Sequence, residues 1–149
     1  MRIEVLGAHN TETDRTRLPC LLVDGTVALD AGGLTASLSL ERQQQIKSVL
    51  LTHHHFDHCK DLIMLGANSL PGSTIDVYGL HDTLETVYLY LLDGKLYRDY
   101  TGWPSADSPR MKLNPVAVFQ PISLHDLEVL PLPVSHSVPS AGYFVRADN

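Results

Sequence analysis

Thr52-His53-His54-His55-Phe56-Asp57-His58 contains the spacing H-x-H-x-D-H directly behind the apolar stretch Ser48-Val49-Leu50-Leu51. The apolar stretch reads as a buried strand ending at a loop. Three imidazoles and a carboxylate packed so closely are costly unless a positive charge binds them. Neutral imidazole and carboxylate suit zinc, iron or manganese, so a divalent transition metal is the expected cofactor, as one or two ions with zinc favoured. In an extended segment His53 and His55 project to one side and can grip the same ion, whereas His54 points away. If the chain turns into a helix after His55, Asp57 and His58 swing toward a second ion. A polyhistidine surface tract would not be expected immediately behind a buried strand.

The pattern His53-x-His55-x-Asp57-His58 resembles the signature of the metallo-β-lactamase superfamily of metal-dependent hydrolases. Three other stretches agree in order along the chain. Val27-Ala28-Leu29-Asp30-Ala31-Gly32-Gly33 resembles an early strand ending in Asp and Gly. Val134-Ser135-His136-Ser137 resembles the strand end that supplies a further histidine, and Ala141–Val145 the strand that follows. The resemblance implies an α/β sandwich, the αββα four-layer fold, and a hydroxide nucleophile activated by metal. His53, His55 and His136 would fix a first ion, and Asp57 and His58 a second. Asp57 would also act as the catalytic carboxylate that accepts or orients the water's proton, and Asp30 would hold the second ring nitrogen of a ligand histidine.

That family continues with a strand ending in a metal-bridging Asp and, later, a final His. Here the sequence ends at Ala147-Asp148-Asn149, and Asp148-Asn149 suits a hairpin turn. Residues 1–149 are therefore expected to form the N-terminal portion of a single domain. The helix after Tyr78, the aromatic insertion after Asp93 and the Pro133-Val134-Ser135-His136 strand end resemble the phosphodiesterase and ribonuclease Z side of the superfamily. Hydrolysis of phosphodiester bonds is the implied activity. The competing expectation is a non-catalytic metal-binding half-domain that self-associates as a homodimer through an exposed sheet edge.

Composition narrows the partners. A chain of 149 residues with 44% hydrophobic content has material for one core. Its net charge of −6 argues against a nucleic-acid surface, which needs a basic stripe. Neither a membrane span nor a signal-like apolar segment is found, and a cytoplasmic protein is expected. Cys20 and Cys59 suit a reducing compartment, and Cys59 is read as a buried thiol in preference to a metal thiolate.

Elements alternate as in a layered α/β fold. Strands are expected at Ile3–Leu6, at Cys20–Val23 and Thr26–Asp30 around an Asp24-Gly25 turn, and at Ser48–Leu51 and Ile75–Tyr78. Further strands are expected over Leu127–Val134 and Tyr143–Arg146. Helices are expected over Leu38–Ile46, from about Lys60 to Asn68, and from an Asp82 cap to Leu92. Gly32 and Gly33 are expected to turn the backbone sharply. Asp93–Pro115 reads as an irregular loop whose aromatics either face a substrate or anchor it to the core. His9, His81 and His125 read as surface residues, and Lys60 and Asp61 as the solvated start of a helix.

Overall fold

The computed structural model describes residues 1–147; the expected turn at Asp148-Asn149 lies outside them. The chain opens with β1 (Ile3–Gly7), β2 (Cys20–Val23) and β3 (Val27–Leu29), a meander of antiparallel strands. Asp24 and Gly25 have φ of 47° and 73°, the pair of positive values that a type I′ hairpin turn demands. Two short helices follow, α1 (Leu34–Ser37) and α2 (Leu40–Gln43), and then β4 (Ser48–Leu50). The continuous helix expected over Leu38–Ile46 is broken at its start: Leu38 is extended, and the Ser39 hydroxyl accepts the Arg42 N–H to cap α2.

The His loop leads into α3 (Phe56–Cys59) and α4 (Leu62–Asn68), which are followed by β5 (Ile75–Leu80) and α5 (His81–Val87). A wider π-helical turn, Tyr88–Leu92, continues α5. Asp82 does not cap α5. The helix starts one residue earlier, and Asp82 sits in its first turn, where a carboxylate favours the helix dipole without bonding an end N–H. The second half contains β6 (Met111–Val116), β7 (Ile122–Leu124), β8 (Leu127–Val134) and β9 (Ser140–Ala147). β6 falls partly inside the stretch expected to be irregular. Its Lys112, Asn114 and Pro115 obscure the alternation, yet it pairs with β5 over six residues. β7 was too short to register as a period.

Six strands form one sheet in the order β1 to β6, antiparallel as far as β3 and parallel from β3 to β6. A second sheet, β7-β8-β9, is antiparallel throughout. Alternation along the strands separates two apolar layers. Leu22, Ala28, Val49 and Leu51 face the helices with Leu34, Leu62 and Leu65. Val23, Val27 and Leu50 face the second sheet and meet Leu124, Leu127 and Val129. β4 is buried on both faces, which is why it reads as an uninterrupted apolar run. Each such leucine contributes about 1.5–3 kcal/mol relative to exposure. The described residues thus stack as helices, sheet and sheet, three layers of an α/β sandwich.

Gly32 serves close approach instead of a turn. A Cβ there would lie 1.8 Å from the Asp57 carbonyl oxygen, so only glycine lets α3 rest on this loop. The left-handed backbone at this corner belongs to Asp30, with φ of 59°, a value that aspartate tolerates better than most side chains.

Candidate metal centre

His53 and His55 follow the end of the buried strand β4. The segment after β4 stays extended, which turns His53 and His55 to one side. Nε2 of His53 is 3.1 Å from Nδ1 of His55. His136 arrives from the turn between β8 and β9, and its Nε2 lies 3.3 Å from the same Nδ1. Two bonds clamp that turn against β4. The Ala141 N–H donates to the Thr52 carbonyl at 2.9 Å, and the Tyr143 hydroxyl donates to the Leu51 carbonyl at 2.8 Å. The three histidines grade from buried His53 through His55 to exposed His136, so the cluster opens outward. A cavity of about 450 Å³ lies over it, with Asn10, Asp57 and His58 also in its wall.

Hydrogen bonding fixes how His53 faces this cavity. The buried Asp30 carboxylate accepts the Thr52 N–H at 2.8 Å and the Thr52 hydroxyl at 3.0 Å. Having given its proton to Asp30, the hydroxyl must accept from His53 Nδ1, 2.9 Å away. His53 is therefore the Nδ1–H tautomer with a bare Nε2 aimed at the other two rings. Burial and the neighbouring His58 press its pKa down to about 4, which keeps the ring neutral. Thr52 is the member that sequence reasoning missed. Its only signal was a hydroxyl residue at the strand end, one position before the first histidine.

Asp30 also lies 2.7 Å from Nδ1 of His58. Burial acts to lower the His58 imidazole, but the hydrogen bond to Asp30 and the charges of Asp30 and Asp57 outweigh it and leave it above its ordinary value. Asp57 is the first-turn carboxylate of α3, and its Oδ2 is 3.5 Å from His58 Nε2. The structure thus sets Asp57 and His58 side by side against the histidine trio, with the His53 and His58 rings 4.1 Å apart. His54 stands apart with its buried Nδ1 unpartnered. Cys59 turns its thiol to the His54 and His55 carbonyls, and burial pushes it up to about 12.

The trio fits a metal ion. The ring nitrogens of His53, His55 and His136 all lie within 4.8 Å of one another. The bare His53 Nε2 and the two nitrogens beside it point at one another with no carboxylate among them. Nitrogens held about 2.0–2.1 Å from a tetrahedral zinc sit about 3.3 Å apart, which matches both observed separations. Among the described residues no other group of His, Cys, Asp and Glu converges in this way.

Two expectations need correction. Asp61 is buried, not solvated: its carboxylate accepts the Thr35 N–H at 2.7 Å and pairs with Lys60 at 2.9 Å. Lys60 also reaches Glu12 at 3.3 Å, tying the loop that carries Asn10 to the base of the His loop. His125 is exposed as expected yet has a partner, the buried Ser48 hydroxyl at 3.1 Å, across the two sheets.

The sequence pattern of the beta-lactamase superfamily domain matches residues 21–149. The chain belongs to the beta-lactamase superfamily. Three solved structures share its fold at low identity. Unliganded yeast PDE1 is 17% identical with a TM-score of 0.73, covering 96% of this chain and 60% of its own. A diphosphatase from the PhnP family is 19% identical with a TM-score of 0.70, covering 96% and 61%. Zn(2+)-bound PqqB from Methylobacterium extorquens is 17% identical with a TM-score of 0.69, covering 99% and 62%. This beta-lactamase superfamily chain therefore spans about three-fifths of the length of these structures. None of the curated proteins matches it. No helix among its described residues is long and apolar enough to cross a membrane.

Proposed function

We propose that this chain is the N-terminal portion of a metal-dependent hydrolase domain acting on phosphodiester bonds. The observation that carries the reading is the convergence of three imidazole nitrogens, His53 Nε2, His55 Nδ1 and His136 Nε2, at the mouth of a cavity. These would hold a first divalent ion, zinc before iron or manganese, and Asp57 with His58 would contribute to a second. Ions in such a site supply Lewis acidity and make water a competent nucleophile near neutral pH. Asp57, a third exposed at the cavity, would accept and orient the proton of the attacking water at Oδ2. Asp30 would hold His58 through Nδ1 and, by way of the Thr52 hydroxyl, keep His53 in the ligating tautomer. The fold shared with the PhnP-family diphosphatase is compatible with phosphoryl chemistry. Two free, buried thiols suit a cytoplasmic setting.

The test is metal analysis of protein prepared without chelator, together with turnover of bis(p-nitrophenyl) phosphate. Near-stoichiometric zinc, iron or manganese and turnover abolished by His53→Ala are expected. Metal-free protein, or turnover indifferent to His53→Ala, overturns the reading. A second reading, a metal-binding homodimer without turnover, draws on Val134 and Phe144, which expose apolar surface on the second sheet. Light scattering that shows a dimer, with metal bound and no turnover, would favour it.

A further inference from the structure

A second cavity, of about 750 Å³, lies at the other end of the six-stranded sheet. β4, β5 and β6 run parallel; the His loop follows the end of β4, whereas Arg110 in this cavity immediately precedes the start of β6. A strand the length of β5 spans about 20 Å, which separates the two cavities by that order. Its floor is aromatic. Tyr100 is buried against Gly66 of α4, where a Cβ would meet the ring at 2.6 Å, and packs edge-on against Trp103. Tyr97 leans on Tyr100 with its own ring about half exposed.

Two guanidiniums gather on this floor. The Arg98 and Arg110 carbons lie 4.7 Å and 4.5 Å from the centroid of the same indole, Trp103, so the charges are within ten ångströms of each other. Like charges at this spacing repel unless an anion offsets them. The cavity offers a single carboxylate against the two guanidiniums: Asp99, whose Oδ1 accepts the Thr101 N–H and hydroxyl at 2.8 and 2.6 Å. Asp93 is taken by Lys95. Arg110 donates to the Ser69 carbonyl and hydroxyl, yet its Nε is buried with no partner. On a chain of net charge −6, two arginines packed on one tryptophan and facing a single carboxylate are a local surplus of positive charge.

We propose that this cavity binds a small phosphorylated ligand carrying an aromatic ring. A phosphate monoester dianion matches the charge of two guanidiniums, each a fork that grips phosphate oxygens, and the half-exposed Tyr97 offers a face for the ring. The volume suits a single small molecule. The site is independent of the hydrolase reading, since none of its residues touches the His cluster.

Trp103 is the sole tryptophan of the chain, so its emission reports on this cavity alone. The probe is adenosine monophosphate, followed by Trp103 fluorescence and in parallel by calorimetry. Saturable binding with a Kd below about 1 mM is expected, weakened about tenfold by Arg98→Ala. Arg98 is exposed, so that variant keeps the fold, and His53→Ala should leave the Kd unchanged. Heat or emission change that fails to saturate up to about 10 mM overturns the proposal. So does equal affinity for inorganic phosphate or for adenosine, or an unchanged Kd in Arg98→Ala.

Discussion

The Asp30 carboxylate stands 2.7 Å from His58 Nδ1 and reaches His53 through one hydroxyl, that of Thr52. One buried carboxylate thereby sets the orientation of two histidines that come from opposite ends of the motif. Its own left-handed backbone, φ 59°, is what turns it from the end of β3 toward β4. Asp30→Asn keeps the shape and can still accept from Thr52, but it cannot take the His58 ring proton with a full charge. Metal affinity is expected to fall about 10- to 100-fold. Competition with a chelator, at unchanged far-UV circular dichroism, measures this; undiminished affinity would show that Asp30 only shapes the loop.

His54 and His55 are neighbours with opposite fates. The extended backbone sends His55 into the cluster, whereas His54 keeps a buried, unpartnered Nδ1 away from it. His55→Ala should reduce bound metal severely, and His54→Ala should leave it within a factor of about two, given tenfold per 1.4 kcal/mol of lost binding. Cobalt substitution makes the contrast visible as the ligand-field spectrum. Equal loss in both variants would mean that the loop, not the ring nitrogens, governs binding.

How much of this was legible beforehand depended on the range of the interaction. His53 and His55 were readable because strand periodicity is local, and Asp24-Gly25 because a two-residue turn has its own chemistry. Asp61 reads as solvated because it follows Lys60 as a charged pair just after the motif; its burial is set by Thr35, twenty-six residues away. Thr52 was passed over for a similar reason, since its role exists only once Asp30 arrives from another strand. Gly32 was recognised as special, but its reason, contact with the Asp57 carbonyl, is a tertiary fact. β6 was hidden by a proline at an edge strand, where the lost N–H is not missed.

Both thiols should be silent in the folded protein. Cys20 and Cys59 are buried, and burial raises each well above an ordinary thiol, Cys59 to about 12. At pH 8 the thiolate fraction of Cys59 is then on the order of one in ten thousand, against about a quarter for an unfolded cysteine. A disulfide reagent at pH 8 is expected to modify neither until denaturant is added. The same shift has a sign for stability. The unfolded chain loses its thiol protons first, so stability is full below about pH 8.5 and declines as the pH climbs toward 12. Rapid labelling of native protein would contradict the burial on which this rests.

Gly32 is where the fold and the candidate site are mechanically joined. Its backbone accepts α3 so closely that a methyl group would sit 1.8 Å from the Asp57 carbonyl oxygen and 2.9 Å from the Leu18 side chain. The obstacle is backbone, which cannot rotate aside as a side-chain tip can. The Ala31 N–H donates to the His58 carbonyl at 2.7 Å, and the Asp61 N–H to the Ala31 carbonyl at 2.9 Å, so displacing α3 breaks both bonds as well. Gly32→Ala is expected to cost about 1–3 kcal/mol or more in urea denaturation, and the surviving folded fraction should bind metal less well because Asp57 and His58 ride on α3. Gly33→Ala, where the Cβ would meet the Leu18 carbonyl at 2.7 Å without touching α3, provides the comparison. It should lose stability while sparing the affinity of the molecules that fold. If both variants lower affinity alike, the coupling of Gly32 to α3 is wrong.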